Sequence, residues 1–269
     1  MKVLVSTFFC LIVLTSFALL HAASLAPVDV EFFEAMEKGQ IEATIIPKSS
    51  LDGRVTIKNK SGVPLNVRLP ETFAGVPVLA QFDDFLGGGG GGGGGGRSRG
   101  SGNRGGSSGG QSQSMGGGMG GGMGGGMGGG MGGGMFNIAP EKSVRQDVKT
   151  VCLEHGKREP RQHMKYELKP LETVTDKKEV HMLCALVGRG EVDQRSAQAA
   201  VWHYNNGMSW EELANKMHKP RVDAMNYVPY FSPQQMMYAM TLGKKIEERL
   251  AKEVPMEKKG TSESYGSQQ

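Results

Sequence analysis

The chain has 269 residues, 42 of them glycine and 17 methionine, and a formal net charge of +4. A positive charge this small, spread over both halves, does not imply a nucleic-acid partner. With a leader, a low-complexity segment and a polar tail set aside, about 180 residues remain, enough for one ordinary domain or two small ones.

The N-terminus reads as a signal peptide over residues 1–23. Lys2 supplies the charge, residues 3–20 the apolar run, and Ala22, Ala23 and Ser24 the small residues for cleavage. The expected location is therefore secreted or periplasmic, with membrane contact only if the leader stays uncleaved. Removal of the leader takes Cys10 with it and leaves Cys152 and Cys184 as the cysteines of the mature chain.

Residues 24–40 hold a short amphipathic helix carrying Phe32, Phe33 and Met36 and closed by Gly39. A period of two follows: Ile41, Ala43 and Ile45, then Val55 and Ile57, then Val63, Leu65, Val67 and Leu69 alternate with polar residues or proline. Asn59-Lys60-Ser61-Gly62 between the last two runs has the composition of a hairpin turn. Beyond residue 135 the strand pattern resumes at 136–138, 144–153 and 164–168. The expectation is an α+β chain built on a small antiparallel β-sandwich-like domain, made from residues 41–86 and 136–170.

Between those halves, residues 87–135 comprise ten glycines, an Arg/Ser/Gly patch and five Gly-Gly-Gly-Met units. Each glycine costs a helix about 1 kcal/mol relative to alanine, so the methionine spacing is not a helical stripe. The composition predicts a disordered, solvated insertion loop. Two functional readings attach to it. The thioethers of Met115, Met119, Met123, Met127, Met131 and Met135 are soft ligands suited to Cu(I). Arg97, Arg99 and Arg104 suit an anionic cell-surface polymer, since an exported chain rarely meets RNA.

The period changes to that of helices over residues 171–253, predicting a four-helix subdomain. Val180, Leu183, Cys184 and Val187 mark the first helix; Ala197, Ala200, Val201 and Tyr204 mark the second, closed by Gly207. Ser209-Trp-Glu-Glu212 is a capping box opening the third, and Ser232-Pro-Gln-Gln235 opens the fourth. In the fourth, Met236, Met240, Gly243, Ile246 and Leu250 form the expected inward stripe. Residues 254–269 are a polar, disordered tail.

Cys152 is the centre of three mutually exclusive chemistries. A disulfide with Cys184 suits an oxidising compartment and closes a loop of about 30 residues, worth roughly 3 to 4 kcal/mol. Alternatively, Cys152 with His155 and His181 with Cys184 are two pairs with the local spacing of a tetrahedral zinc site. The third follows from a resemblance. Val151-Cys152-Leu153, with Ala197-Gln198-Ala199-Ala200-Val201-Trp202 downstream, resembles the two short motifs of bacterial thioester domains of surface adhesins. The resemblance implies an internal thioester between Cys152 and Gln198 that captures amines; threonine, usual before that glutamine, is replaced here by Ala197.

A broader resemblance spans most of the mature chain. Residues 57–70, 151–157, 197–203 and 209–213 resemble uncharacterised secreted proteins of planctomycete-like bacteria that also carry a Gly/Met-rich insert. It implies an exported β-plus-helical protein and brings no activity. No nucleophile motif, phosphate loop or HExxH helix is present in the sequence. The sequence therefore predicts an exported non-enzymatic interaction or structural protein without a cofactor, whose partner is another protein or an anionic polymer. The alternative is a covalent or metal-dependent binder (zinc or copper) centred on Cys152.

Overall fold

The computed structural model describes residues 26–78, 112–119, 135–218 and 228–253. The predicted leader, the ten-glycine run, Met123, Met127, Met131 and the polar tail lie outside them.

The α+β class holds, with a closed barrel in place of the expected sandwich. Six strands contribute: β2 (Ile41–Pro47), β3 (Asp52–Asn59), β5 (Thr72–Pro77), β6 (Met115–Gly118), β8 (Ser143–Cys152) and β9 (Tyr166–Lys169). Their order is β2-β3-β8-β6-β5-β9, every pairing is antiparallel, and Ile45 opposite Tyr166 closes the ring. The period-two runs behave as alternation demands: Ile41, Ile45, Val55, Ile57 and Val148 point into the barrel core with Phe73, Tyr166 and Leu168. Closure leaves this sheet no unpaired edge to protect.

One strand of the ring comes from inside the segment expected to be a solvated loop. Met115–Gly118 is buried at every position and pairs with both β5 and β8. Residues 112–119 are therefore part of the core, and the insertion-loop expectation is corrected there. The physical reason is space. A β-carbon at Gly117 would lie 2.7 Å from the Lys149 carbonyl oxygen, and one at Gly118 would lie 2.9 Å from that of Glu71 and 3.0 Å from Gly188 Cα. Only glycine lets this strand run beneath a helix. Met115 and Met119 fill the barrel interior, and full burial of one such side chain is worth about 1.5–3 kcal/mol.

A second sheet of three strands is ordered β1 (Val28–Glu31), β4 (Leu65–Arg68), β7 (Met135–Ile138), with β1 parallel to β4 and β7 antiparallel to it. The predicted N-terminal helix is shorter than expected: α1 (Phe32–Glu37) follows β1 directly. The hairpin reading of residues 59–62 is also corrected, since β3 pairs with β2 and β8 while β4 joins the other sheet. Asn59 explains the turn. Its buried side chain donates to the carbonyls of Val63 (2.8 Å) and Ile138 (2.9 Å) and accepts from the Ser61 amide (2.8 Å), sending the chain across to the second sheet.

Helix count differs from the four-helix reading, because the described residues hold five α-helices and a 3-10 turn (Leu171–Thr173). After α1 come α2 (Lys178–Arg189), α3 (Gln194–Asn206), α4 (Trp210–Ala214) and α5 (Pro233–Glu253). They pack on the barrel. Val180, Leu183, Cys184 and Val187 of α2 share one apolar cluster with Ala74, Val151 and Leu153 of the barrel side and with Leu242 and Ile246 of α5. Glycines in left-handed conformation end α2 (Gly190, φ 70°) and α3 (Gly207, φ 68°), and both predicted arms of the Ser209/Glu212 capping box are present. On α5 the inward stripe is Met236, Ala239, Leu242 and Ile246, while Met240 faces out.

Candidate functional site

The residues with most chemical potential gather where β8 ends and α3 crosses it. The strand ladder stops at Cys152, so backbone groups at and beyond that point need other partners. Helix α3 supplies them from a row of amide side chains. Gln194 Nε2 donates to the Thr150 carbonyl (2.7 Å) and Asn205 Nδ2 to the Leu153 carbonyl (2.6 Å), while Asn206 Oδ1 accepts from the His155 amide (3.1 Å). At the middle of the row, Gln198 holds Cys152 from both sides: its Nε2 donates to the Cys152 carbonyl (2.9 Å) and its Oε1 accepts from the Cys152 amide (2.7 Å). Asp193 caps the helix by accepting from the Ser196 amide, which fixes the phase of the row.

Cys152 and Gln198 are thus brought together, and both polar atoms of the Gln198 amide are engaged by main chain. The Cys152 thiol is buried with Sγ 3.9 Å from the Ser50 carbonyl oxygen. Burial, followed by the nearby Glu159 charge, pushes its pKa well above the ordinary thiol range. At neutral pH it is a protonated thiol, which is a poor nucleophile and a poor ligand.

Cys184 lies elsewhere, in the cluster between α2 and the barrel, and burial pushes its pKa up to about 12. Both cysteines are free in this structure. Each is buried, Cys184 in the cluster of α2 and Cys152 in that of Trp202 and Phe231. The predicted zinc quartet also disperses. His155 packs edge-on against Trp202 and contacts Lys216 through Nε2 (2.7 Å), whereas His181 Nε2 meets the Thr175 carbonyl (2.8 Å) and its Nδ1 lies 3.5 Å from Glu172. Among the described residues, no group of three or more His, Cys, Asp or Glu could hold a metal ion. Of the thioether set, Met115 and Met119 are core side chains and Met135 is exposed on β7, so these three do not converge on one ion.

Beside Cys152 opens a cleft of about 190 Å³ lined by Ser50, Leu51, Glu159, Arg195, Gln198, His218 and Tyr230. Its lining joins the Tyr230 ring to charges of both signs, Arg195 and Glu159, and further rings and a lysine pack behind Tyr230. Trp202 contacts Tyr230 (5.5 Å) and Phe231 (5.9 Å), and His218 lies over Tyr230 (4.6 Å). The Arg195 guanidinium sits 5.6 Å from the Tyr230 ring centre, and the Lys216 ammonium 5.2 Å from Tyr230 and 5.3 Å from Trp202. Burial and then the Glu159 charge raise the Tyr230 pKa, and Arg195 opposes them. Burial and then Lys216 lower that of His155. Trp202 Nε1 is buried without a hydrogen-bond partner among the described residues.

No family model, curated protein or solved structure matches this chain.

Sequence reasoning missed the amide row and the cleft. The row had a signal, since Gln194 and Gln198 stand four apart and share a helix face, with Asn205 and Asn206 two turns further on. The cleft had none, because Ser50, Glu159, Arg195 and Tyr230 meet only through the fold. A larger cleft of about 260 Å³ lies beside β1 and α1. Four of its charged residues pair within it, Lys38 with Glu34 and Arg68 with Glu31, Asp29 accepts from Asn66, and it holds neither cysteine nor histidine.

Proposed function

We propose that this is an exported, non-catalytic binding protein whose contact surface is the cleft beside Cys152, with the Tyr230 ring in its lining. The observation carrying this reading is the Arg195 guanidinium held over the Tyr230 ring in the lining of a small polar cleft, with the Lys216 ammonium 5.2 Å from the same ring. Tyrosine, tryptophan and arginine are the residues that dominate binding energy at protein interfaces. A cleft of this size takes one side chain, with Arg195 and Glu159 offering charges of both signs to its polar end. That mixture favours a partner protein over a uniformly anionic polymer.

The test is capture of cell-surface and secreted proteins of the source cell by wild type, Arg195→Ala and Tyr230→Ala, with Ile46→Ser as a control on the exposed barrel face. A protein partner is expected to survive Ile46→Ser and to be lost, by at least about tenfold in affinity, with either cleft variant. Identical capture by all four proteins would remove the reading. If the cleft variants instead lose binding only to a polyanion such as polygalacturonate, the partner is the polymer.

The covalent reading retains one supporting observation, the contact of Gln198 with Cys152. Condensation of that thiol with the amide would expel ammonia, so the mature protein would be lighter by about 17 Da and would react with methylamine. Unchanged mass disposes of it.

A further inference from the structure

We infer that β5, β8 and the Gly188 face of α2 form a strand-binding slot that accepts more than one Met-Gly-Gly-Gly-Met unit of the repeat, up to those near Met135, which β7 holds in the other sheet, so that several registers of the chain complete the same barrel. In the structure the occupant is the first unit, Met115 to Met119. The same five-residue pattern begins again at Met119, Met123, Met127 and Met131. A shift by four residues is even, so it keeps every side chain on its face of the strand, and glycine-rich strands specify register weakly.

The contacts show what the slot reads. Glycine is demanded at three successive positions: the backbone atoms of Lys149 and Gly188 and the Cys184 sulfur would each meet an added β-carbon within 3.0 Å. Methionine is accepted at both ends, in the barrel core. The flanking hydrogen bonds fall on main-chain atoms. The Ser114 amide donates to Glu154 (2.6 Å), its carbonyl accepts from the Leu153 amide (3.0 Å), the Gln113 amide donates to the Arg158 carbonyl (3.0 Å), its carbonyl accepts from Tyr166 (2.9 Å), and the Met119 carbonyl accepts from Gln146 (3.1 Å). After a four-residue shift Gly117, Gly118 and Met123 would present the same atoms. What the first register alone offers is the buried side chains of Ser112, Gln113 and Ser114, with a hydrogen bond from the Ser112 hydroxyl to Met164 sulfur (3.2 Å), and it leaves Gln113 Oε1 buried without a partner among the described residues. The tether on the C-terminal side shortens from 15 residues (120–134) to 11 (124–134) in the first shift, and that on the N-terminal side lengthens by the same four.

The experiment compares Gly117→Ala with a fivefold variant carrying alanine at Gly117, Gly121, Gly125, Gly129 and Gly133, the equivalent position of every unit. Urea unfolding of the full mature chain reads stability, and peptide mapping after brief peroxide treatment reads which methionines are protected. Gly117→Ala alone is expected to lower the folding equilibrium constant by less than about tenfold, the fivefold variant by about a hundredfold or more. In the single variant, protection is expected to move from Met115 and Met119 to Met119 and Met123. Equal losses in the two proteins, or protection that stays at Met115, would show that one register is read and overturn the inference. An undamaged fivefold variant would overturn the glycine requirement itself. If the fivefold protein does not fold, the protection pattern of Gly117→Ala still decides.

Discussion

Replacing Gln198 with leucine tests the junction of barrel and helix at a single side chain. Gln198 is 2% exposed, and its amide is the partner of both the Cys152 amide and the Cys152 carbonyl at 2.7 and 2.9 Å. Leucine keeps most of the packing and removes both bonds. Two buried main-chain groups are then left unsatisfied at about 1–3 kcal/mol each, partly offset by the added apolar burial. The expected net loss is about 2–4 kcal/mol, a large share of the roughly 5–15 kcal/mol that holds an ordinary domain together. Urea unfolding followed by tryptophan fluorescence measures it, since Trp202 lies on the same helix. The companion Gln198→Glu keeps the acceptor and loses the donor until it is protonated. Burial raises its folded pKa, so its contribution is present below the unfolded value near 4.3 and is lost as pH rises through the folded pKa. A loss below about 0.5 kcal/mol for Gln198→Leu would refute the claim that α3 satisfies the end of β8.

Three further outcomes follow from the geometry. Gly188→Ala places a β-carbon 2.3 Å from Gly118 Cα; backbone cannot yield as a side chain does, so unfolding measurements should show a loss of about 3 kcal/mol or more. The Cys184 thiol has a folded pKa near 12 against about 8.5 unfolded. Its contribution is complete below pH 8.5 and declines as pH rises towards 12, by about 1.4 kcal/mol per pH unit, so alkaline titration of stability should show that slope. His155 is shifted the other way: its contribution is present above the unfolded value near 6.5 and is lost as pH falls through the folded pKa, and His155→Phe should flatten the acid limb of the stability profile.

The strands at residues 41–47, 52–59 and 143–152 and the helices after residue 178 were legible because each carries its own period and caps. The barrel was not. Its closing strand is Met-Gly-Gly-Gly, which has no alternation to read, and its reason for being a strand is a helix glycine seventy residues away at Gly188. Asn59 misled for a related reason: a polar residue before glycine signals a hairpin locally, but its side chain is buried against Val63 and Ile138. At the site, Cys152 and Gln198 were named from sequence and do meet, yet in a main-chain clamp. The other half of the site, Arg195, Glu159 and Tyr230 around the cleft, is assembled by tertiary structure alone.

The most direct measurement is the oxygen uptake of the tryptic peptide spanning residues 105–142, which contains all six methionines of the repeat. Brief peroxide treatment of the native protein, timed so that exposed Met237 reacts fully, is predicted to add no more than four oxygens. Two methionines are held in the barrel whichever unit fills it. Addition of all six at the rate of Met237 would contradict the placement of a Gly/Met strand in the core.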